Sequence, residues 1–215
     1  MNKELKEFDG KIEIIDHFSS RRNKVCKVKL NSNNENKMVM KIYQDTSSRL
    51  IEHENLLKLK QNNINIPDMF KGSKNILFLG YIQGDIINDL AEKLDLGSWI
   101  EELALWMSDL HKIKNSEGSF LKGDSNLRNF IWSNDRIYGL DFEKRKYGNP
   151  KEDIGEICFF LLTNHPSWKD EKKVMVERFL KAYKGYSGLK LDDINDFILK
   201  STKEAKKRRN FFKRI

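Results

Sequence analysis

The sequence predicts an α+β chain of two unequal lobes, with antiparallel strands first and helices afterwards. Three observations carry this reading. Apolar residues alternate through the first 43 positions, which is the period of half-buried strands. From Trp99 onward the apolar residues recur at helical spacing instead. Between these regions a strongly apolar strand, residues 75–82 (NILFLGYI), runs into Gln83-Gly84-Asp85, which reads as a hinge. The predicted division is residues 1–82 for the smaller lobe, 83–199 for the larger, and 200–215 for a basic tail. A chain of 215 residues suits one domain or a compact two-lobed one, and a cleft between lobes is where a ligand is expected.

In order along the chain, Ile12, Ile14 and Ile15 mark a first strand over 11–17. Residues 18–24 form a polar turn. Cys26, Val28 and Leu30 alternate with Lys27 and Lys29 in a second strand. Residues 31–37 read as a hairpin loop, and Met38 to Tyr43 as a third strand carrying Lys41. Residues 47–61 have helical pattern, with Glu52, Leu56 and Leu59 on one face. A carboxylate sharing a face with leucines needs a partner, because burying it alone costs several kcal/mol, roughly. Lys41 on the preceding strand is the candidate. Pro67 closes this region. Trp99, Ile100, Leu103, Met107 and Leu110 form a helical stripe, and Trp99 and Trp106 read as core. Further helices are expected around Ile154 to Leu161, over 170–184 and over 191–209. No internal repeat or low-complexity linker is evident.

Composition removes several function classes. With 39% hydrophobic and 33% charged residues and a mean hydropathy of −0.67, the chain has the profile of a soluble globular protein. Its longest apolar runs, such as Ile157 to Leu162, are far too short to span a bilayer. Met1-Asn2-Lys3-Glu4 leads into no hydrophobic stretch, so no secretory signal is expected. The two cysteines, Cys26 and Cys158, fall in apolar patterns and read as buried thiols of a cytoplasmic protein. Four histidines are scattered without metal-ligand spacing, which argues against zinc. The net charge is +8, but residues 200–215 hold eight basic side chains against the single acid Glu204, so the tail alone is +7. The pI of about 9.3 is therefore a property of the tail.

The most informative stretch is 123–143, GDSNLRNFIWSNDRIYGLDFE. Asp124 and Asn129 are five apart in a polar loop. A strand follows (Phe130, Ile131, Trp132), then a turn at Ser133-Asn134-Asp135. A second strand (Ile137, Tyr138, Leu140) ends at Asp141. Such a hairpin carries Asn129 and Asp141 on adjacent strand ends near Asp124. Phosphoryl transfer uses this set: a carboxylate to orient a hydroxyl, and an amide plus a carboxylate to hold Mg²⁺ on a nucleotide.

Lys41 in a strand, Glu52 in a helix, the apolar strand ending in Tyr81-Ile82-Gln83-Gly84, Asp124 with Asn129, and then Asp141 occur in that order. This resembles the protein-kinase-like superfamily over residues 11–165. Within it the chain looks most like the atypical branches: aminoglycoside and choline phosphotransferases, RIO-type kinases, and small lipopolysaccharide-core or tRNA-modification-associated kinases. The resemblance implies a two-lobed fold with an antiparallel N-lobe sheet, one N-lobe helix and a mainly helical C-lobe. It implies ATP and Mg²⁺ as ligands. Lys41 would contact the α- and β-phosphates, with Glu52 holding it and Glu54 as second choice. Gly80 and Ile82 would offer backbone hydrogen bonds to adenine. Asp124 would be the catalytic carboxylate, Asn129 and Asp141 the Mg²⁺ ligands, and Asp153 would brace the catalytic loop.

The sequence also departs from the family pattern. The loop over 19–24 has no glycine, and the hydroxyls of Ser19 and Ser20 with backbone N–H groups would serve there instead. Lys122 replaces the histidine two residues before the catalytic aspartate, which would add a cation near the transferred phosphate. Glu143 replaces the glycine after Asp-Phe, a change shared with choline-kinase-like sequences. Only about 40 residues separate Gly84 from Asp124, which favours the compact branches or a macromolecular acceptor.

Two functions follow as expectations. The first is an ATP-dependent phosphotransferase acting on a hydroxyl of a small molecule or a protein, and working as a monomer. The alternative is a binding module of the same fold whose basic tail docks on RNA or an acidic partner. The tail itself admits a solvated helix end, an RNA contact through Phe211 and Phe212 among the cations, or a membrane-surface contact.

Overall fold

The computed structural model describes residues 12–20, 22–30, 37–144 and 146–212. The chain divides into two compact units. One comprises Met1–Gln83 together with Phe142–Arg145, and the other comprises Gly84–Asp141 together with Lys146–Ile215.

Among its described residues, the first unit is a five-stranded antiparallel sheet with one helix. Its elements are β1 (Ile12–Phe18), β2 (Lys24–Leu30), β3 (Lys37–Ile42), α1 (Thr46–Gln61), β4 (Met69–Ser73) and β5 (Ile76–Gly80), in spatial order β1-β2-β3-β5-β4. The three strands expected before residue 43 are all present. The expected hairpin loop at 31–37 lies almost wholly outside the described residues. Register sets Cys26 opposite Met40, and Met40 opposite Phe78. The alternating side chains Cys26, Val28, Met38, Met40, Ile76 and Phe78 thereby meet as one core.

Strand β4 lacks an alternating signature in the sequence. Gly72 explains part of this: a Cβ there would lie 2.0 Å from the Ile76 carbonyl oxygen, so the β4–β5 turn closes only around glycine. Helix α1 starts at Asp45, whose carboxylate accepts from the Ser48 N–H at 2.7 Å. These bonds, led by that from the Ser47 hydroxyl, hold the Asp45 carboxyl below its ordinary range. The buried residues of α1 are Glu52, Asn55, Leu56 and Leu59, so the predicted face is the one that packs.

The second unit is mainly helical. It contains β6 (Asp85–Ile86), α2 (Ile87–Glu92), α3 (Trp99–Lys112), β7 (Lys114–Asn115), β8 (Gly118–Phe120), a 3-10 turn (Leu127–Asn129), β9 (Phe130–Ser133), β10 (Arg136–Gly139), β11 (Tyr147–Gly148), α4 (Lys151–Thr163), α5 (Asp170–Ser187) and α6 (Ile194–Phe212). Helix α3 packs on α5, and α4 packs on α6. Trp99, Ile100, Leu103, Met107 and Leu110 are buried, with Trp106, as expected of a core stripe. Gly155 lets α4 and α6 approach closely, since a Cβ would stand 2.6 Å from the Phe197 Cβ.

Two small antiparallel sheets, β10-β9-β6 and β11-β8-β7, complete the unit. Helix α2 and the two- and three-residue strands escape sequence periodicity because they are shorter than one repeat of evidence. The β9–β10 hairpin is the expected one. Asn134 and Asp135 take φ of 49° and 56°, the left-handed pair that a two-residue hairpin turn requires. Cys26 and Cys158 are free and buried, and burial pushes both thiols up. Among the described residues, no helix is long and apolar enough to cross a membrane.

Candidate active site

In the first unit, the site residues gather around Lys41. Met40 and Ile42 flank it in β3, but the Lys41 side chain leaves the sheet toward α1 and is only 9% exposed. Its Nζ lies 2.6 Å from Glu52 Oε2, and the Glu52 side chain is 1% exposed. Glu52 also accepts from the Tyr43 hydroxyl at 2.6 Å and from the Phe142 N–H at 3.1 Å. The carboxylate thus has a cation and two neutral donors, which is what a charge at this depth requires. Glu54, the second choice, is exposed.

Asn55, one turn on from Glu52, donates to the Phe142 carbonyl at 2.8 Å and the Lys144 carbonyl at 3.3 Å. Residues 142–144 are therefore tied to α1 by backbone atoms at both ends. Sequence reasoning missed Tyr43, Asn55 and the second partner of Lys41. That partner is Glu143, whose Oε1 stands 2.7 Å from the Lys41 ammonium. The Asn23 amide also donates to Glu143. The sequence gives no local signal for these contacts, since Asn23 and Glu143 both stand among charged residues.

Ser19 and Ser20 lie exposed in the loop between β1 and β2, where Ser20 Oγ accepts from the Asn23 N–H at 3.4 Å. The expected strand over 75–82 stops at Gly80, so Ile82 lies beyond the sheet. The Gly80 N–H donates to the Asp68 carbonyl at 2.8 Å, which leaves its carbonyl as the group that could address a base. Lys27 caps the Tyr81 ring, with Nζ 3.8 Å from its centroid.

In the second unit, Asp124, Asn129 and Asp141 come together through backbone geometry. Asn126 caps the 3-10 turn by accepting from the Arg128 N–H, and the turn delivers Asn129 to the start of β9. The Asn129 amide nitrogen donates to the Asp124 carbonyl at 3.1 Å. The Asn129 carbonyl in turn accepts from the Leu140 N–H at 2.8 Å, one residue before Asp141. These bonds tie the Asp124 loop and the second strand of the hairpin to Asn129. Asp141 has φ of 60°.

Lys122 lies beside Asp141. It is 1% exposed, and its Nζ donates to the Asp141 carbonyl at 2.7 Å. Its ammonium holds the backbone of Asp141. Lys122 follows the fully buried Leu121 and is itself buried, so its ammonium donates to a backbone carbonyl within reach rather than to solvent.

The loop is braced from α4. Asp153, 2% exposed, accepts from the Lys122 N–H at 2.6 Å, the Gly123 N–H at 3.1 Å and the Ser125 hydroxyl at 3.0 Å. His111 Nε2 lies 3.2 Å from the same carboxylate, and its Nδ1 pairs with the Tyr183 hydroxyl at 2.8 Å. Burial works to raise the Asp153 carboxyl. The His111 hydrogen bond and charge, with the two backbone N–H groups, outweigh it and hold Asp153 below the ordinary carboxylate range. Glu156, one turn further along α4, accepts from the Ser125 N–H at 2.9 Å.

No protein-family model matches the chain, and no curated protein matches it. Solved structures do. One is the aminoglycoside phosphotransferase APH(2'')-Ib in its ADP-bound form. It matches with a TM-score of 0.67 at 17% identity, covering 94% of this chain and 86% of that one. Choline kinase from Cryptosporidium parvum Iowa II matches with a TM-score of 0.61 at 13% identity, covering 83% and 74%. Amicoumacin kinase hAmiN, in complex with AMP-PNP, Ca²⁺ and Ami, matches with a TM-score of 0.61 at 14% identity, covering 92% and 85%. The chain therefore shares the two-lobed kinase-like fold of these structures.

Proposed function

We propose that the protein is an ATP-dependent phosphotransferase that moves a γ-phosphoryl group to a hydroxyl acceptor. The observation that carries this reading is the buried Lys41–Glu52 pair, 2.6 Å apart in a sheet-and-helix unit of this fold. A lysine so held is a fixed positive charge, and a fixed charge is what stabilises phosphate oxygens without reorganisation. Lys41 contacts the phosphates, with Glu52 positioning it. Backbone groups of Gly80 and Ile82 address the base, through the Gly80 carbonyl in place of its engaged N–H.

Asp124 orients the acceptor hydroxyl and takes its proton. The acceptor oxygen forms a bond to the γ-phosphorus as the bond to the β–γ bridging oxygen breaks, and ADP leaves with that oxygen. Asn129 and Asp141 fit a divalent ion. The Asn129 amide nitrogen is pinned to the Asp124 carbonyl, which leaves its side-chain oxygen as the donor atom beside a carboxylate. Oxygen donors of this kind suit Mg²⁺. When bound, Mg²⁺ supplies charge neutralisation on the nucleotide phosphates. Nucleotide-bound solved neighbours of this fold support the reading.

Calorimetry with Mg·ATP on the wild type and on Asp141→Ala tests it. Binding by the wild type that is lost or much weakened in the variant is expected. No wild-type binding, or binding unchanged by the substitution, rejects the assignment. Incubation with labelled ATP against panels of hydroxylated small molecules and proteins, with Asp124→Asn as the inactive control, then identifies the acceptor class.

A further inference from the structure

Glu143 is a second carboxylate on the Lys41 ammonium, beside Glu52. Glu52 already supplies the buried counter-charge, with three donors of its own. Glu143 nevertheless reaches Lys41 Nζ at 2.7 Å and receives the Asn23 amide from the β1–β2 loop. Its side chain is 14% exposed, so it is accessible to exchange. A carboxylate bounded on one side by the lysine and on the other by this loop stands where an anionic phosphate oxygen would bind. The three side chains carry one positive and two negative charges.

We propose that Glu143 is an internal phosphate mimic that sets the metal dependence of nucleotide binding. This rests on the assignment of Lys41 as the phosphate-contacting lysine. With Glu143 on Lys41, a bare polyphosphate meets a locally negative site and competes with a tethered carboxylate. A nucleotide whose charge is reduced by a divalent cation meets a smaller penalty. The free enzyme therefore discriminates between Mg·ATP and metal-free ATP at the first unit, before any chemistry. Asn23 is the positioning partner that keeps the β1–β2 loop closed on Glu143 until phosphate displaces it.

The test is nucleotide affinity by calorimetry with excess Mg²⁺ and with EDTA, for the wild type, Glu143→Gln and Asn23→Ala. Glu143→Gln keeps the side-chain volume and removes the charge. It is expected to raise metal-free ATP affinity at least about fivefold, the water-screened value for two like charges 4 Å apart. Affinity for Mg·ATP should change less, so the ratio of the two narrows. Asn23→Ala, which leaves the charge in place, should keep the wild-type ratio. A Glu143→Gln protein with unchanged or weakened metal-free affinity overturns the proposal, provided the wild type binds Mg·ATP. A wild type that binds neither form overturns the functional assignment along with it. Thermal melting of each variant shows that an altered ratio does not come from partial unfolding.

Discussion

Replacing Asp153 with alanine tests the loop brace directly. The side chain is 2% exposed and accepts four hydrogen bonds, from two backbone N–H groups, a hydroxyl and the His111 ring. It also lies in the first turn of α4, where the helix dipole favours a negative charge. Removing an acceptor from a buried donor costs about 1–3 kcal/mol each, and water entering the space returns part of that. The expected loss is about 3–5 kcal/mol, the range for breaking a buried charged network by deleting one partner.

For a chain of this size the loss corresponds to a fall in melting temperature of roughly 6–20 °C. Urea unfolding at pH 7 measures it. Asp153→Asn keeps one acceptor and should cost about 1–3 kcal/mol. The pH dependence has a definite sign. A carboxyl held below its ordinary value in the folded state stabilises above the unfolded pKa of about 4. That contribution disappears as pH falls through the folded value. The gap between wild type and Asp153→Asn should therefore be full at pH 7 and shrink below about pH 4. An alanine variant within about 1 kcal/mol of wild type would refute the brace.

Lys122→Met removes the bond to the Asp141 carbonyl while keeping the apolar stem. Phosphotransfer should fall roughly 10- to 100-fold, from a charge-assisted bond of about 1.5–3 kcal/mol, with the melting temperature unchanged or raised. Gly155→Ala sets a Cβ 2.6 Å from the Phe197 Cβ and should cost about 1–3 kcal/mol by separating α4 from α6, read by denaturant unfolding. Asp135→Gly relieves a left-handed non-glycine residue in the β9–β10 turn and should stabilise by about 0.5 kcal/mol in the same assay.

Much of the fold was legible in the sequence because its signals are periodic. Cys26, Val28 and Met40 alternate, and Trp99, Leu103, Met107 and Leu110 recur by turns, so each side chain repeats the same message. The Lys41–Glu52 pair was legible for a different reason: an acid on a leucine face demands a cation, and Lys41 stands in the strand just before the helix. Helix α2 and strand β4 were not legible, since six residues of INDLAE and five of MFKGS carry too little pattern. The Glu143–Lys41 contact was hidden because it joins positions 102 apart through backbone geometry that periodicity does not encode. The bond from Lys122 to the Asp141 carbonyl was likewise hidden, because nothing in the neighbouring residues marks which acceptor its ammonium reaches.

Residues 142–145 belong to the first unit although the rest of that unit ends at Gln83. The first unit is thus a discontinuous piece of chain, and a fragment ending at residue 83 would leave Glu52 and Asn55 without the Phe142 N–H and the Phe142 and Lys144 carbonyls. During synthesis the same incompleteness lasts until residue 144 has left the ribosome. By then the α3 segment and the β9–β10 hairpin of the second unit have already been made. The usual N-terminal-first order of folding is interrupted here. The amino-terminal sheet waits for its last strap, and its buried lysine pair is sealed only after nearly 60 residues of another unit have emerged.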